Sequence, residues 1–178
     1  MKIKWMIAAA GVAVAASLAF VQSQGEPAPP PQTAAATVQP IQFPHDIHAG
    51  TYQMDCQYCH FSADRSVDAG IPPVSACMGC HTMIQGANNP EEVNKLREYW
   101  NSGQPIPWVR IHKVADHVHM PHMRHLNAGM QCQECHGEIQ LETVLEKPLP
   151  TWGKGKMGWC VSCHVERDVR RDCTVCHY

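Results

Sequence analysis

A chain of 178 residues bounds one modest domain with a tail. Three Phe and an aromatic content of 7% leave too little bulk for a large side-chain core, so a stable fold needs disulfides, metals or cofactors as staples. The formal charge of −2 excludes both a basic nucleic-acid surface and a strongly acidic disordered tail.

The chain opens with Lys2 and Lys4, followed by an uncharged stretch of 17 residues, Trp5 to Val21. That length exceeds the usual apolar region of a signal peptide and just suffices to cross a bilayer. The lysines would stay cytoplasmic and send the remainder outward. Ser17-Leu18-Ala19 has the small residues of a cleavage site, so removal is the alternative to the retained anchor expected over residues 1–25. No Cys lies nearby, which excludes a lipid anchor on Cys. Residues 26–40 form a linker carrying Pro27, Pro29, Pro30, Pro31 and Pro40, a composition that favours extended polyproline II and buries nothing.

From Ile41 the sequence changes character. Phe43-Pro44-His45-Asp46-Ile47-His48 is followed by Ala-Gly and then Cys56-Gln-Tyr-Cys59-His60. Met120-Pro121-His122-Met123-Arg124-His125 repeats the pattern before Cys132-Gln-Glu-Cys135-His136, with one residue fewer between the second His and the first Cys. Between the copies lie Cys77-Met-Gly-Cys80-His81 and an amphipathic helix. Asn89 suits its N-cap, Pro90 its first turn, and Glu91 and Glu92 its positive end; Val93, Leu96 and Trp100 line one face, and Asn101 and Gly103 stop it. After the second copy come Cys160-Val-Ser-Cys163-His164 and Cys173-Thr-Val-Cys176-His177. The motif-bearing region therefore spans 41–178, divided into modules of about 41–105 and 106–178, with two motifs in the first and three in the second.

All ten Cys fall into these five C-x-x-C-H motifs, the signal for c-type haem attachment. The spacing has a physical reason. Positions i, i+3 and i+4 share one face of a helical turn, so two thiols reach two vinyl groups of one porphyrin while the imidazole meets its iron. Structural zinc takes four ligands and would leave one of five pairs unmatched. A redox dithiol needs one such pair, and a disulfide framework gives no role to the trailing His. The expected cofactor is covalent haem c, five groups, with His60, His81, His136, His164 and His177 as proximal ligands. The expected fold is mostly irregular with short α-helices, a multihaem cytochrome c domain whose core is haem, preceded by one N-terminal transmembrane helix. Covalent haem c is attached outside the cytoplasm, which places the domain in the periplasm on the inner membrane.

Seven His remain. His45, His48, His122 and His125 are the leading second axial ligands, each H-x-x-H pair being able to serve two haems. His112, after Pro107-Trp108-Val109-Arg110-Ile111, is a further candidate. His117 and His119 read as solvent-facing or supporting. Met157 could serve as a ligand and would raise that haem's potential; Met54, Met83 and Met130 are weaker options, since Met ordinarily packs. The pairing of each distal ligand with its haem stays open at this stage.

These landmarks resemble the pentahaem cytochrome subunit of alternative complex III, a bacterial quinol-oxidising respiratory complex, from about Phe43 to Tyr178. The resemblance rests on F-P-H-x-x-H-A-G, Ile71-Pro72 before Cys77, Asn89-Pro90-Glu91 through Trp100, Pro105-Ile106-Pro107-Trp108-Val109-Arg110 with His112, Met157-Gly158-Trp159-Cys160, and Cys176-His177-Tyr178. The H-x-x-H pairs also resemble those of class III multihaem cytochromes. The resemblance implies a non-catalytic electron relay. Its partners would be an iron–sulfur subunit, quinol-binding membrane subunits, a monohaem cytochrome, and a periplasmic carrier or terminal oxidase. Two other functions compete. A catalytic multihaem reductase of nitrogen compounds commonly replaces a proximal His with Lys, and none of the five motifs does. A small membrane-anchored quinol dehydrogenase needs a haem at the bilayer surface, whereas at least 30 residues separate Gly25 from Cys56 here.

Overall fold

The computed structural model describes residues 39–178. The expected anchor over 1–25 and all but the last two residues of the linker lie outside the described residues. Among the described residues there is no strand, and no helix is long and apolar enough to cross a membrane. Helices and loops alternate as expected: α1 (Cys56–Cys59), α2 (Val74–His81), α3 (Pro90–Ser102), α4 (His122–Asn127), α5 (Cys132–His136), α6 (Met157–Glu166) and α7 (Cys173–Cys176). A π-helical turn at Asp46–Thr51 and two 3-10 turns at Ile139–Leu141 and Pro150–Gly155 fill some of the gaps.

The longest helix forms where its signals stand. Pro90 occupies the first turn of α3, where a missing N–H costs nothing, and Glu91 and Glu92 sit at its positive end. Gly103 ends it in the left-handed conformation at φ 66°, bonding back to the carbonyls of Tyr99 and Trp100. Asn89 stands at the N-cap without a side-chain cap bond. Val93 and Leu96 are buried, but Trp100 is 49% exposed. The helix packs through its middle, where Leu96 meets Ile41, Met78 and Ile106, with Tyr99 partly buried against them. The last turn extends beyond that cluster and leaves the indole half in water. Glu92 is buried instead; its carboxylate accepts the Gln42 N–H at 2.8 Å and pairs with Lys95 at 2.6 Å.

The core is thin, as the composition requires. Among the described residues no side chain is fully buried, and Tyr52, Tyr58, Phe61, Ile71, Met83 and Ile84 are all more than half exposed. These apolar groups flank the first two C-x-x-C-H motifs, where a porphyrin would cover them.

Backbone bonds cross between the two halves of this region. His45 and Asp46 donate to the carbonyls of Thr143 and Glu142 at 3.2 and 2.9 Å. His122 and Met123 donate to Val67 and Ser66 at 3.0 Å each. Each H-x-x-H segment is thus anchored by the other half of the chain. Gly50 sits at the first junction, where an added Cβ would come 2.5 Å from the Gln140 carbonyl oxygen. A main-chain atom cannot swing aside, so Gly50→Ala is expected to destabilise the protein by about 1–3 kcal/mol, as overpacking does. Urea unfolding of the wild type and variant checks this; equal midpoints would mean that the junction yields freely.

Candidate haem-binding sites

Each C-x-x-C-H motif has its two cysteines on a helical turn of its own. In α1 and α7 the His60 and His177 N–H groups bond back to the Cys56 and Cys173 carbonyls at 2.9 and 3.0 Å, which closes the turn and brings Cys, Cys and His onto one side. Asp55 starts α1 by accepting the Gln57 N–H at 2.7 Å. At α5, Gln131 and Glu134 form a reciprocal capping box. All ten cysteines are free of disulfide bonds. Among the described residues no three His, Cys, Asp or Glu side chains converge as a metal site made of protein alone.

The imidazoles share a recurring geometry. His60, His81, His164 and His177 direct Nδ1 to the carbonyls of Gly70, Ile84, Arg170 and His117, at 2.7, 3.0, 2.5 and 3.0 Å. His48, His122 and His125 do the same toward Pro44, Val67 and Pro121, at 2.9, 2.8 and 3.0 Å. A carbonyl can only accept, so Nδ1 carries the proton and Nε2 presents a lone pair, the form a metal needs. The partner also fixes the ring's orientation.

The spacing of facing rings matches an iron between them. Two imidazoles bonded to one metal ion at about 2 Å each, on opposite sides, have centroids roughly 6 Å apart. His48 and His81 are 6.1 Å apart, His125 and His164 6.2 Å, and His122 and His136 6.3 Å. The first two pairs are near copies. Their interplanar angles are 55° and 52°, and in each the His of the H-x-x-H pair bonds the carbonyl of the Pro four residues before it. The duplication read from the sequence thus reappears as one geometry built twice. His45 neighbours His60; burial first, then the charges of His60 and His48, hold its pKa down at about 4, so it stays neutral. Its Nδ1 is buried without a partner among the described residues, unlike that of His122, its counterpart in the repeat. The residues fit bis-imidazole haem c.

The thiols adjoin one another in a definite succession. Burial raises each of the following pKa values first, and a neighbouring thiol adds to the shift. Cys77 has Cys59 as that neighbour, and Cys132, pushed up to about 11, has Cys56. Cys135 has Cys163 and Cys160, while Cys160 has Cys176. The motifs therefore neighbour one another in the order second, first, third, fourth, fifth.

Other candidate residues fall elsewhere. The His112 ring lies 4.4 Å from that of His136 at 89°, too close for an iron between them. Burial, then the charge of His122, lowers its pKa, and its buried Nε2 lacks a partner among the described residues. His117 lends its carbonyl to His177, which puts it on the proximal side of that motif, and its ring stacks on His177 at 5.4 Å. His119 stacks on Tyr178 at 4.2 Å, and its N–H donates to the Cys176 carbonyl. Met157 opens α6 with 66% exposure, and Met83 is 83% exposed. Met130 is buried as packing, and Met54 is half-buried. Trp152 drew no notice in the sequence, yet it is buried between His136, His112 and Trp159. No local pattern could have marked it, because its partners come from three other segments.

Residues 22–106 match the model of the class III cytochrome C family, and residues 118–178 match that of cytochrome c7 and related cytochrome c. The chain is related to the multihaem c-type cytochromes. The class III likeness expected from the H-x-x-H pairs is met over the first of these stretches. The chain is also 29% identical, over 161 residues, to the multihaem cytochrome c subunit of menaquinone reductase from Nitratidesulfovibrio vulgaris, covering 78% of this chain and 76% of that protein. Covalent haem and electron transfer go with this relationship.

Proposed function

We propose that this multihaem cytochrome carries five haems and relays electrons along them within a membrane oxidoreductase complex that exchanges electrons with the quinone pool. The observation that carries this reading is the set of imidazoles facing one another at 6.1–6.3 Å beside thiol pairs that neighbour one another in the order second, first, third, fourth and fifth. Each thiol pair marks one porphyrin edge, so the haems would form a single file with the second and fifth as its ends. The haem supplies the redox chemistry when bound. The chain's own residues would hold the first four irons between imidazoles and the fifth on His177, fix most of these rings' tautomers through backbone carbonyls, and keep apolar side chains against the macrocycles.

The distal ligands we assign are His45 to the first haem, His48 to the second, His122 to the third and His125 to the fourth. In the finer reading the complex is alternative complex III, and the chain takes electrons from its quinol-oxidising and iron–sulfur parts to a periplasmic carrier or oxidase. An N-terminal anchor would tether it to the inner membrane with the haem domain in the periplasm. The opposite direction, from periplasmic donors toward menaquinone, has one observation in its favour: the relative from Nitratidesulfovibrio vulgaris belongs to a menaquinone reductase.

Purification from native membranes under mild washing tests both. Five haem equivalents by pyridine haemochrome, with co-purifying iron–sulfur and membrane subunits by mass spectrometry, are expected. Rapid reduction by menaquinol in the complex favours outward flow; rapid oxidation of the reduced haems by menaquinone favours the reverse. Fewer than five equivalents would refute the pentahaem reading, and reduction of the isolated subunit by quinol would make it a dehydrogenase in its own right.

A further inference from the structure

The two H-x-x-H segments are near copies in geometry but not in charge. His48 faces His81 at 6.1 Å and 55°, and His125 faces His164 at 6.2 Å and 52°. His48 and His125 each give Nδ1 to the carbonyl of the Pro four residues before, Pro44 or Pro121. The residue preceding each of these histidines differs: it is Ile47 in the first copy and Arg124 in the second. Equal axial ligands at equal ring angles set equal starting potentials, so this one side chain stands out against a matched background.

Arg124 lines a cavity of about 520 Å³ that has His164 in its wall. Val169 and Val175 give the cavity aliphatic sides, and Arg124, Arg170 and Tyr178 give it polar edges. An imidazole, an apolar wall and guanidinium groups suit a flat macrocycle that ends in carboxylates. The two arginines are not equivalent. The Arg170 guanidinium pairs with Asp172 at 3.0 Å, and the Arg170 carbonyl accepts from the Nδ1 of His164 at 2.5 Å. Arg124 is exposed and makes no side-chain hydrogen bond or ion pair among the described residues. Of the two, Arg124 is therefore the cation whose charge is not already offset.

We infer that Arg124 binds a propionate carboxylate of the fourth haem and so raises that haem's potential above the second haem's. This rests on the haem-relay reading above, because it presumes a haem on His164. A guanidinium presents two parallel N–H donors to a carboxylate. Pairing offsets a negative charge near the iron, which favours the reduced form, since that form carries one positive charge fewer. Ile47 offers no donor, so the second haem keeps the lower potential. The two haems would then be distinguished by a side chain beside the ligand and not by the ligand itself. On the proposed order the difference favours electrons moving from the second haem toward the fourth.

The test uses the full-length protein in its complex, with Arg124→Gln, Arg124→Lys, Ile47→Arg, His48→Ala and His125→Ala made in parallel. A spectroelectrochemical titration reads the potentials, and low-temperature electron paramagnetic resonance counts low-spin haems. Redox-difference infrared spectra read the carboxylate stretches. His48→Ala and His125→Ala each move one step of the titration, which identifies the steps of the second and fourth haems. Arg124→Gln is expected to lower the fourth haem's potential alone, to keep the parent's low-spin count and to shift one carboxylate band. Arg124→Lys keeps the charge and is expected to stay closer to the parent potential, a distinction that loss of packing would not make. Unmoved potentials in Arg124→Gln, or a shift at a different haem, would overturn the inference. So would an unmoved carboxylate band, or a new high-spin haem, which would make Arg124 a support for His125 instead. If Arg124→Gln assembles poorly, Ile47→Arg decides: it is expected to raise the second haem's potential toward the fourth's, and no rise would overturn the inference. Failure of the underlying relay reading would show separately, as fewer than five haem equivalents in the unsubstituted protein.

Discussion

Replacing His48 or His125 with Ala is expected to turn one low-spin haem high-spin while haem content stays at five equivalents. The thioether bonds that retain each porphyrin come from cysteines elsewhere in the chain, so attachment and distal ligation are separable. Both histidines are held in the same way. Nδ1 donates to a Pro carbonyl four residues back, and the ring faces a proximal imidazole across 6.1 or 6.2 Å. The two variants should therefore look alike by spectroscopy. They should differ in electron transfer. On the proposed assignment His48 serves the second haem, at one end of the file, so His48→Ala should slow only exchange through that end. His125 would serve the fourth, placed between the third and the fifth, so His125→Ala should interrupt transit to the fifth from every other haem. Spin state by electron paramagnetic resonance and stopped-flow traces of haem oxidation measure the two effects. His119→Ala is the control, because that ring rests on Tyr178 and faces no proximal imidazole. An unchanged low-spin count in either His variant would remove that residue from the ligand set.

Trp152→Ala is expected to cost about 3–5 kcal/mol, the range for deleting a large buried aromatic. Domains of this kind are stable by only about 5–15 kcal/mol in total, so the loss is a large fraction. Trp152 is 5% exposed and touches rings from three segments: His112, His136 of α5 and Trp159 of α6. Gly153 is part of the same arrangement, since a Cβ there would fall 2.3 Å from the Trp159 ring and force the two indoles apart. With few other buried side chains to share the load, the cavity could close only by moving α5 against α6. Denaturant unfolding at constant haem content measures the cost. Trp100→Ala is the comparison. Its indole is 49% exposed, and a change of about 1 kcal/mol or less is expected there. Equal losses at the two positions would mean that the haems, not Trp152, hold this corner together.

Much of the site was written locally. C-x-x-C-H needs only one helical turn to bring its three groups together, so all five candidate attachment motifs could be read from spacing alone. The repeat P-H-x-x-H was equally legible, because its key bond runs from His to the Pro carbonyl four residues earlier. Helix α3 carried its start and stop signals in Pro90 and Gly103. The thin core followed from composition, since so few large apolar groups cannot bury one another.

What faces what was settled by the tertiary structure alone. The sequence could supply seven spare histidines but not say that His48 looks at His81 across 33 residues, or that His112 stands beside His136 and not opposite it. Those relations depend on loops whose course is set by distant backbone bonds, such as His45 to Thr143 and His122 to Val67. The burial of Trp152 and the exposure of Trp100 were decided in the same way. Side-chain type and spacing specify chemistry within a turn; distance and orientation between turns arise only when the whole chain is packed.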